Sequence, residues 1–208
     1  MLPPEIAISF FGIAALLALS PGPDNLFVLA QSMLWGRAAG LAVVMGLCTG
    51  VIGHTLAVSL GLAALFAASH TAFTVVKLIG AGYLLYLAWG ALRAGQSLQA
   101  GETPPRQSAG RLYLRGIIMN LTNPKVSIFF LAFLPQFASP ARGSIAMQML
   151  ALGALFMLAT LIVFSAVAVF SGALGERLQR LPRIQVWLNR AAGIIFIGLA
   201  LKLLSAER

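Results

Sequence analysis

Charge is what this chain has least of. Asp, Glu, Lys and Arg make up 9% of its 208 residues, where soluble domains carry roughly a quarter. Cysteine is nearly absent: the single Cys48 excludes an internal disulfide and reads as a small packing residue. The sequence has no Walker loop, no GxGxxG dinucleotide fingerprint and no Cys/His metal spacing. It also lacks any nucleophile-elbow pattern for Ser/His/Asp chemistry. Enzyme function is therefore not expected, and neither a catalytic residue, a cofactor nor a metal is assigned. Long hydrophilic stretches are missing too. The longest, Ala94 to Arg111, has few apolar anchors and reads as a loop, so no separate soluble domain is expected.

What is present is apolar sequence. Hydrophobic residues are 60% of the chain, gathered into stretches near 5–33, 40–66, 72–92, 114–137, 143–171 and 190–204. A helix needs about 20 residues to cross a hydrocarbon core, so each stretch is a candidate span, the last a short one. Runs this continuous leave no polar face for water. The expectation is an all-α integral membrane protein with a lipid bilayer as its solvent. Ile6 to Leu19 resembles the apolar part of a signal peptide. It lacks a basic leader, and Pro21 hinders cleavage after Ser20, so it is read as a retained first span.

The net charge of +9 does not indicate nucleic-acid binding, because the bases lie in short loops and not in a patch. Their use is topological. Arg37, Arg93, Arg106, Arg111, Arg115, Arg177, Arg180, Arg183 and Arg190 fall on one side, against Lys77, Arg142, Lys202 and Arg208 on the other. Nine against four places loops one–two, three–four and five–six in the cytoplasm. Six full spans put both termini outside; a re-entrant broken segment, leaving five crossings, puts them on opposite sides.

Two spans are interrupted at matching places, each with one charge at the break. The first reads Ser20-Pro21-Gly22-Pro23-Asp24-Asn25 and the second Asn120-Leu121-Thr122-Asn123-Pro124-Lys125. Aligning Pro23 with Pro124 sets Asp24 opposite Lys125. Three spans per half make the second half enter from the other side, a 3+3 inverted repeat with helices 1 and 4 broken. Repeat 1 covers about 5–92, a cytoplasmic linker about 93–113, and repeat 2 about 114–204. Lys77-x-x-Gly80-x-x-Tyr83 against Arg190-x-x-Gly193-x-x-Phe196 is a second correspondence. The sequence offset grows from 101 to 113 residues between the two, and Glu176 to Leu188 supplies the excess as an amphipathic surface segment.

Paired interrupted segments point to a transporter's binding site. Pro21 and Pro23 cannot donate backbone hydrogen bonds and Gly22 adds conformational freedom, so the break frees carbonyls before it and N–H groups after it. Pro23 suits the first position of a new half-helix, with Asp24 in its first turn. A carboxylate in mid-span costs roughly 3 kcal/mol on insertion scales and needs a partner or water. Lys125 sits in the first turn after Pro124, where a cation opposes the helix dipole, which suggests another purpose. It binds a substrate carboxylate or neutralises Asp24; a permanent Asp24–Lys125 ion pair locking the halves is the structural alternative. Asn120 and Asn123 precede Pro124. Gln31 and Gln136 lie seven and eleven residues beyond Asp24 and Lys125, on the same helical faces, as pathway lining or as end caps. His54 suits a proton relay or an interhelical hydrogen bond. Tyr83, Tyr86 and Trp89 read as packing and interface anchors. Gly36-x-x-x-Gly40, Gly46-x-x-x-Gly50 and Gly80-Ala81-Gly82 read as close helix-packing faces, within or between subunits, which leaves a homo-oligomer open.

Ser-Pro-Gly-Pro-Asp at 20–24, Gly36-Arg37-x-x-Gly40, the stretch from Lys77 to Trp89, and Asn120 to Lys125 followed by Phe129 to Phe137 together resemble the LysE/RhtB amino-acid exporters. The likeness runs from about residue 5 to 204. It implies a bacterial inner-membrane translocator for amino acids or close derivatives, driven by the proton gradient. Asn25 stands where the family leads one to expect an apolar or aromatic residue, which implies an altered cavity. The resulting expectation is a secondary exporter that takes an amino acid and protons at Asp24, Lys125, Asn25, Asn120, Asn123, Gln31 and His54, around the breaks at Pro21, Gly22, Pro23 and Pro124. A non-transporting scaffold or sensor and a passive channel are the alternatives.

Overall fold

The computed structural model describes residues 2–20, 22–68, 70–93 and 107–180, with isolated helical positions between 190 and 204. Every element among the described residues is helical. Helix α1 (Pro4–Leu19) starts on a proline, whose missing N–H costs nothing in a first turn. Beyond Gly22 the chain resumes as α2 (Pro23–Trp35), again with proline at its start. The two axes are bent by 62°. Helix α3 (Arg37–Ala68) follows after one residue and α4 (His70–Arg93) comes next.

The second half repeats the interruption. Helix α5 (Ala109–Thr122) gives way at Asn123 to the short α6 (Pro124–Ile128), a π-helical turn over Phe129–Phe133 and a 3₁₀ turn over Leu134–Phe137. The bend between α5 and the segment from Pro124 to Phe137 is 50°. Pro135 has no N–H to return to the Leu131 carbonyl, and the backbone accommodates this by widening and then tightening its turns. Helix α7 (Ile145–Arg180) closes the described chain.

By length and composition, Arg37–Gly61 (25 residues) and Ile145–Ser171 (27 residues) suffice to cross a membrane. They match the second and fifth apolar stretches. Each bent pair passes the same test when taken as one unit, which brings the number of candidate spans to as many as four. The expected sixth stretch lies largely outside the described residues. So do Pro21, the side chains of Lys77, Gly80 and Tyr83, most of the Arg190–Phe196 motif, and residues 181–188 of the expected surface segment. Residues 176–180, the other part of that segment, continue α7 without interruption.

Two boundaries differ from the sequence expectation. The helix of the fourth apolar stretch, α5, begins at Ala109 and not near Leu114, because the Ser108 side chain accepts a hydrogen bond from the Arg111 N–H and caps an amphipathic first turn that hydropathy does not register. Gly36 does not share a helix face with Gly40. It ends α2 with φ +83°, a conformation that favours glycine, and its N–H donates to the Ser32 carbonyl.

Helix α3 is the hub, packed most extensively on α5 and α7. Its approach to α5 rests on facing glycines. A Cβ on Gly46 would collide with the Tyr113 carbonyl oxygen, and one on Gly116 would stand 2.5 Å from that of Val43. Gly50 leaves room for Asn120, Gly153 of α7 for Thr55, and Gly40 for Ser32 of α2. The Gly46/Gly50 face is thus a packing face. Gly82 is different: its Cβ would meet nothing within 4 Å.

Burial divides the side chains as a membrane demands. Phenylalanines 10, 129, 130, 133 and 137 form a buried aromatic cluster with Phe156, with ring centroids 4.9–6.4 Å apart. Val28, Val43, Val44, Leu47, Leu112 and Phe164 form a second cluster between α2, α3, α5 and α7. Large apolar side chains also cover the outside, among them Leu60 and Ile8 at 78% and 73% exposure, as expected where lipid replaces water.

Gly116→Val places side-chain atoms into the α3 backbone, so it should lower stability by about 3 kcal/mol, the upper end for overpacking, or prevent folding. Gly82→Ala, in open space within α4, should not destabilise and should raise stability by up to about 1 kcal/mol. Thermal unfolding of the two purified variants in detergent checks both.

Candidate functional site

Each proline break creates a specific orphan. A helical carbonyl bonds the N–H four residues on, so Pro21 strips the partner from Leu17 and Pro124 strips it from Asn120. A carbonyl left unpaired in an apolar interior costs several kcal/mol. The structure pairs both with basic side chains from elsewhere in the chain. The Lys125 ammonium donates to the Leu17 carbonyl at 3.2 Å and to the Ser20 carbonyl at 3.1 Å. The Asn120 carbonyl lies 3.2 Å from His54 Nε2 and also accepts from the Asn123 N–H at 3.1 Å. A carbonyl only accepts, so His54 carries its proton on Nε2 here.

Lys125 thereby resolves its unfavourable position. It lies in the first turn of α6, but its ammonium reaches the C-terminal end of α1, where the helix dipole favours a cation. Gly22 makes room for it: a Cβ there would be 3.0 Å from Nζ. Asp24 sits in the first turn of α2, the end that favours an anion.

Asn123 joins the two breaks. Its Nδ2 donates to Asp24 Oδ2 at 2.9 Å, while its Oδ1 accepts from the Lys125 backbone N–H at 3.0 Å and caps α6. Asp24, Asn123 and Lys125 are all buried, at 2%, 3% and 5% exposure. The direct Asp24–Lys125 ion pair weighed from the sequence is replaced by this arrangement: carboxylate on Asn123, ammonium on carbonyls. The reason is geometric, since α1 presents two carbonyls where the long side chain from α6 ends.

The remaining candidates divide. Asn25 turns back on its own break, with Nδ2 donating to the Ala18 carbonyl at 2.6 Å. His54 also stacks on Phe130 with ring centroids 5.4 Å apart. Gln31 is buried further along α2, not joined to the Asp24 cluster by a hydrogen bond, and its Oε1 is unpaired. Gln136 bonds back to the Ala132 carbonyl at 3.3 Å, within its own irregular turn. Tyr86 and Trp89 are exposed, with the Arg93 guanidinium 3.9 Å from the Trp89 ring. The Leu17, Ala18 and Ser20 carbonyls are contributors that side-chain reading passes over; counting back four residues from a proline finds the first.

Acceptors outnumber donors at this centre. Asp24 Oδ1, Asn25 Oδ1, Asn120 Oδ1 and Ser20 Oγ are buried without a hydrogen-bond partner. Among the described residues no group of three His, Cys, Asp or Glu side chains gathers to hold a metal. The surplus suits a ligand that brings N–H groups.

Apolar helices wrapped around a polar centre make this a helical membrane protein. It belongs to the LysE type translocator family, an amino-acid efflux family whose model matches residues 15–207. A homoserine/homoserine lactone efflux protein of Salmonella typhimurium is 34% identical over 194 residues, covering 93% of both chains. An uncharacterized membrane protein of Vibrio cholerae is 32% identical over 203 residues, 98% of both. A leucine efflux protein of Enterobacter is 29% identical over 197 residues, 92% of both. No solved structure matches.

Asn123→Ala removes a helix cap, typically ~1 kcal/mol, and an interhelical hydrogen bond, about 0.6–1.7 kcal/mol in a membrane. The variant should be destabilised by about 2 kcal/mol. Asn25→Ala loses one neutral bond and should cost about 1 kcal/mol. Denaturant titration in detergent micelles orders the two.

Proposed function

We propose that this protein is a secondary transporter that exports amino acids or close derivatives across the bacterial inner membrane in exchange for protons. The observation that carries the reading is the meeting of Asp24, Asn123 and Lys125 between two helix breaks of opposite polarity. The C-terminal carbonyls of α1 and the Asp24 carboxylate suit an ammonium; the Lys125 ammonium suits a carboxylate. An amino acid brings both groups at the spacing of one carbon. The efflux activities printed for the Salmonella and Enterobacter relatives support this cargo class.

In this reading each bent pair is one broken span, and six spans form a 3+3 inverted repeat. Loops one–two, three–four and five–six face the cytoplasm, where most loop arginines lie. The breaks then enter from opposite sides and share one cavity, as alternating access around a fixed site requires. Facing inward, Asp24 takes the cargo ammonium. Facing outward, a proton arriving at Asp24 cancels its charge and releases the cargo. His54, on the Asn120 carbonyl, stands on the route such a proton would use.

The test is counterflow in proteoliposomes across a panel of amino acids, with and without a pH gradient. Export of at least one amino acid should accelerate when the outside is acid, and Asp24→Asn should abolish that acceleration while remaining inserted and folded. Undiminished proton-coupled transport by Asp24→Asn sinks the mechanism. Conductance without exchange would indicate a channel, and no flux of any cargo a scaffold.

A further inference from the structure

The first break is an ammonium site already filled by the protein itself. Its ligands are the Leu17 and Ser20 carbonyls, both bonded to Lys125 Nζ. Two acceptors of the same break have nothing to accept from: Oδ1 of Asp24, a residue 2% exposed, and Oδ1 of Asn25, 3.9 Å from where a Gly22 Cβ would be. Gly22 itself keeps the space beside Nζ free of side-chain atoms. Only two of the ammonium's three N–H groups are used by these carbonyls. Lys125 reaches the site from the other half of the chain, on a flexible four-carbon stem, and is therefore a removable occupant.

We propose that the Lys125 ammonium is a tethered stand-in for the cargo's own primary ammonium, and that cargo binds by displacing it. The proposal rests on the reading of the breaks as the cargo site. Its physical content is an exchange. The incoming ammonium takes the Leu17 and Ser20 carbonyls together with Asp24 Oδ1, and the displaced Lys125 turns to the cargo's carboxyl-derived oxygen. A simple amine cannot drive this exchange. It offers the ejected, buried Lys125 no acceptor, and it competes against a group whose effective concentration, being tethered, is on the order of millimolar or above. An amino acid supplies both the replacement ammonium and the acceptor. Selectivity for amino acids over amines thus follows from the occupant as well as from the pocket. In the empty transporter the same occupant supplies a donor to two carbonyls that the break leaves open.

The experiment is thermal unfolding of wild-type protein and Lys125→Ala in nanodiscs, titrated with ethylammonium chloride and, separately, with sodium chloride at equal ionic strength. Ligands that bind only the folded state raise Tm with concentration. Lys125→Ala should gain an ethylammonium-dependent rise in Tm that the wild type lacks, and sodium should not reproduce it. Lys125→Gln keeps a neutral donor to the carbonyls and covers the case in which alanine prevents folding; it should show the same rise at higher amine concentration. No amine response in whichever variant folds overturns the proposal, as does an equal response in the wild type. An equal response to sodium overturns the assignment to ammonium. Because no flux is read, a positive result stands even if counterflow finds no exported amino acid, and a negative one leaves export by other contacts intact.

Discussion

A proline in an apolar helix removes one N–H and leaves one carbonyl without a partner, in a place where water cannot serve. The centre of this molecule follows from that constraint applied twice. The carbonyl freed by Pro21 is taken by Lys125 and the one freed by Pro124 lies against His54. Each donor comes from a different helix, so repairing the backbone also ties the helices together. Asn123 completes the connection by capping α6 with one end of its amide and holding Asp24 with the other.

The rest of the fold supplies the positions these bonds need. Glycines at 46 and 116 let α3 and α5 approach to backbone contact, which brings His54 over the end of α5. The aromatic cluster of the irregular Phe129–Phe137 turns holds the far side, with Phe130 against the His54 ring. Buried charges that lack direct contact stay tolerable because each is hydrogen-bonded and sits at the helix end of favourable sign. Interhelical hydrogen bonds in membranes average only about 0.6 kcal/mol, with ~1.7 at the top. Contacts of that size hold a resting arrangement and still yield to a ligand offering equivalent ones.

Much of this was legible in the sequence. Continuous apolar stretches announced a helical membrane protein, and the second and fifth emerged at nearly the expected limits. The two breaks, their charges and the Gly46/Gly50 face were read from composition and spacing. Hydropathy misjudged the start of α5, because the capped turn around Arg111 is amphipathic. Gly36 was placed on a helix face from its spacing with Gly40, yet its backbone takes the left-handed conformation that ends α2. Both misreadings concern local backbone choices made by a cap or a turn, which hydrophobic periodicity does not encode.

Opposite charges at matching positions suggested that Asp24 and Lys125 either grip each other or wait for a ligand. The sequence determined that both would be buried, that each would lie in the first turn after a proline, and that carbonyls near them would be orphaned, because proline chemistry and apolar length are local properties. Which orphan meets which donor was decided only by the tertiary structure. That pairing depends on how far α6 stands from the end of α1, a distance set by helix packing among residues about a hundred positions apart.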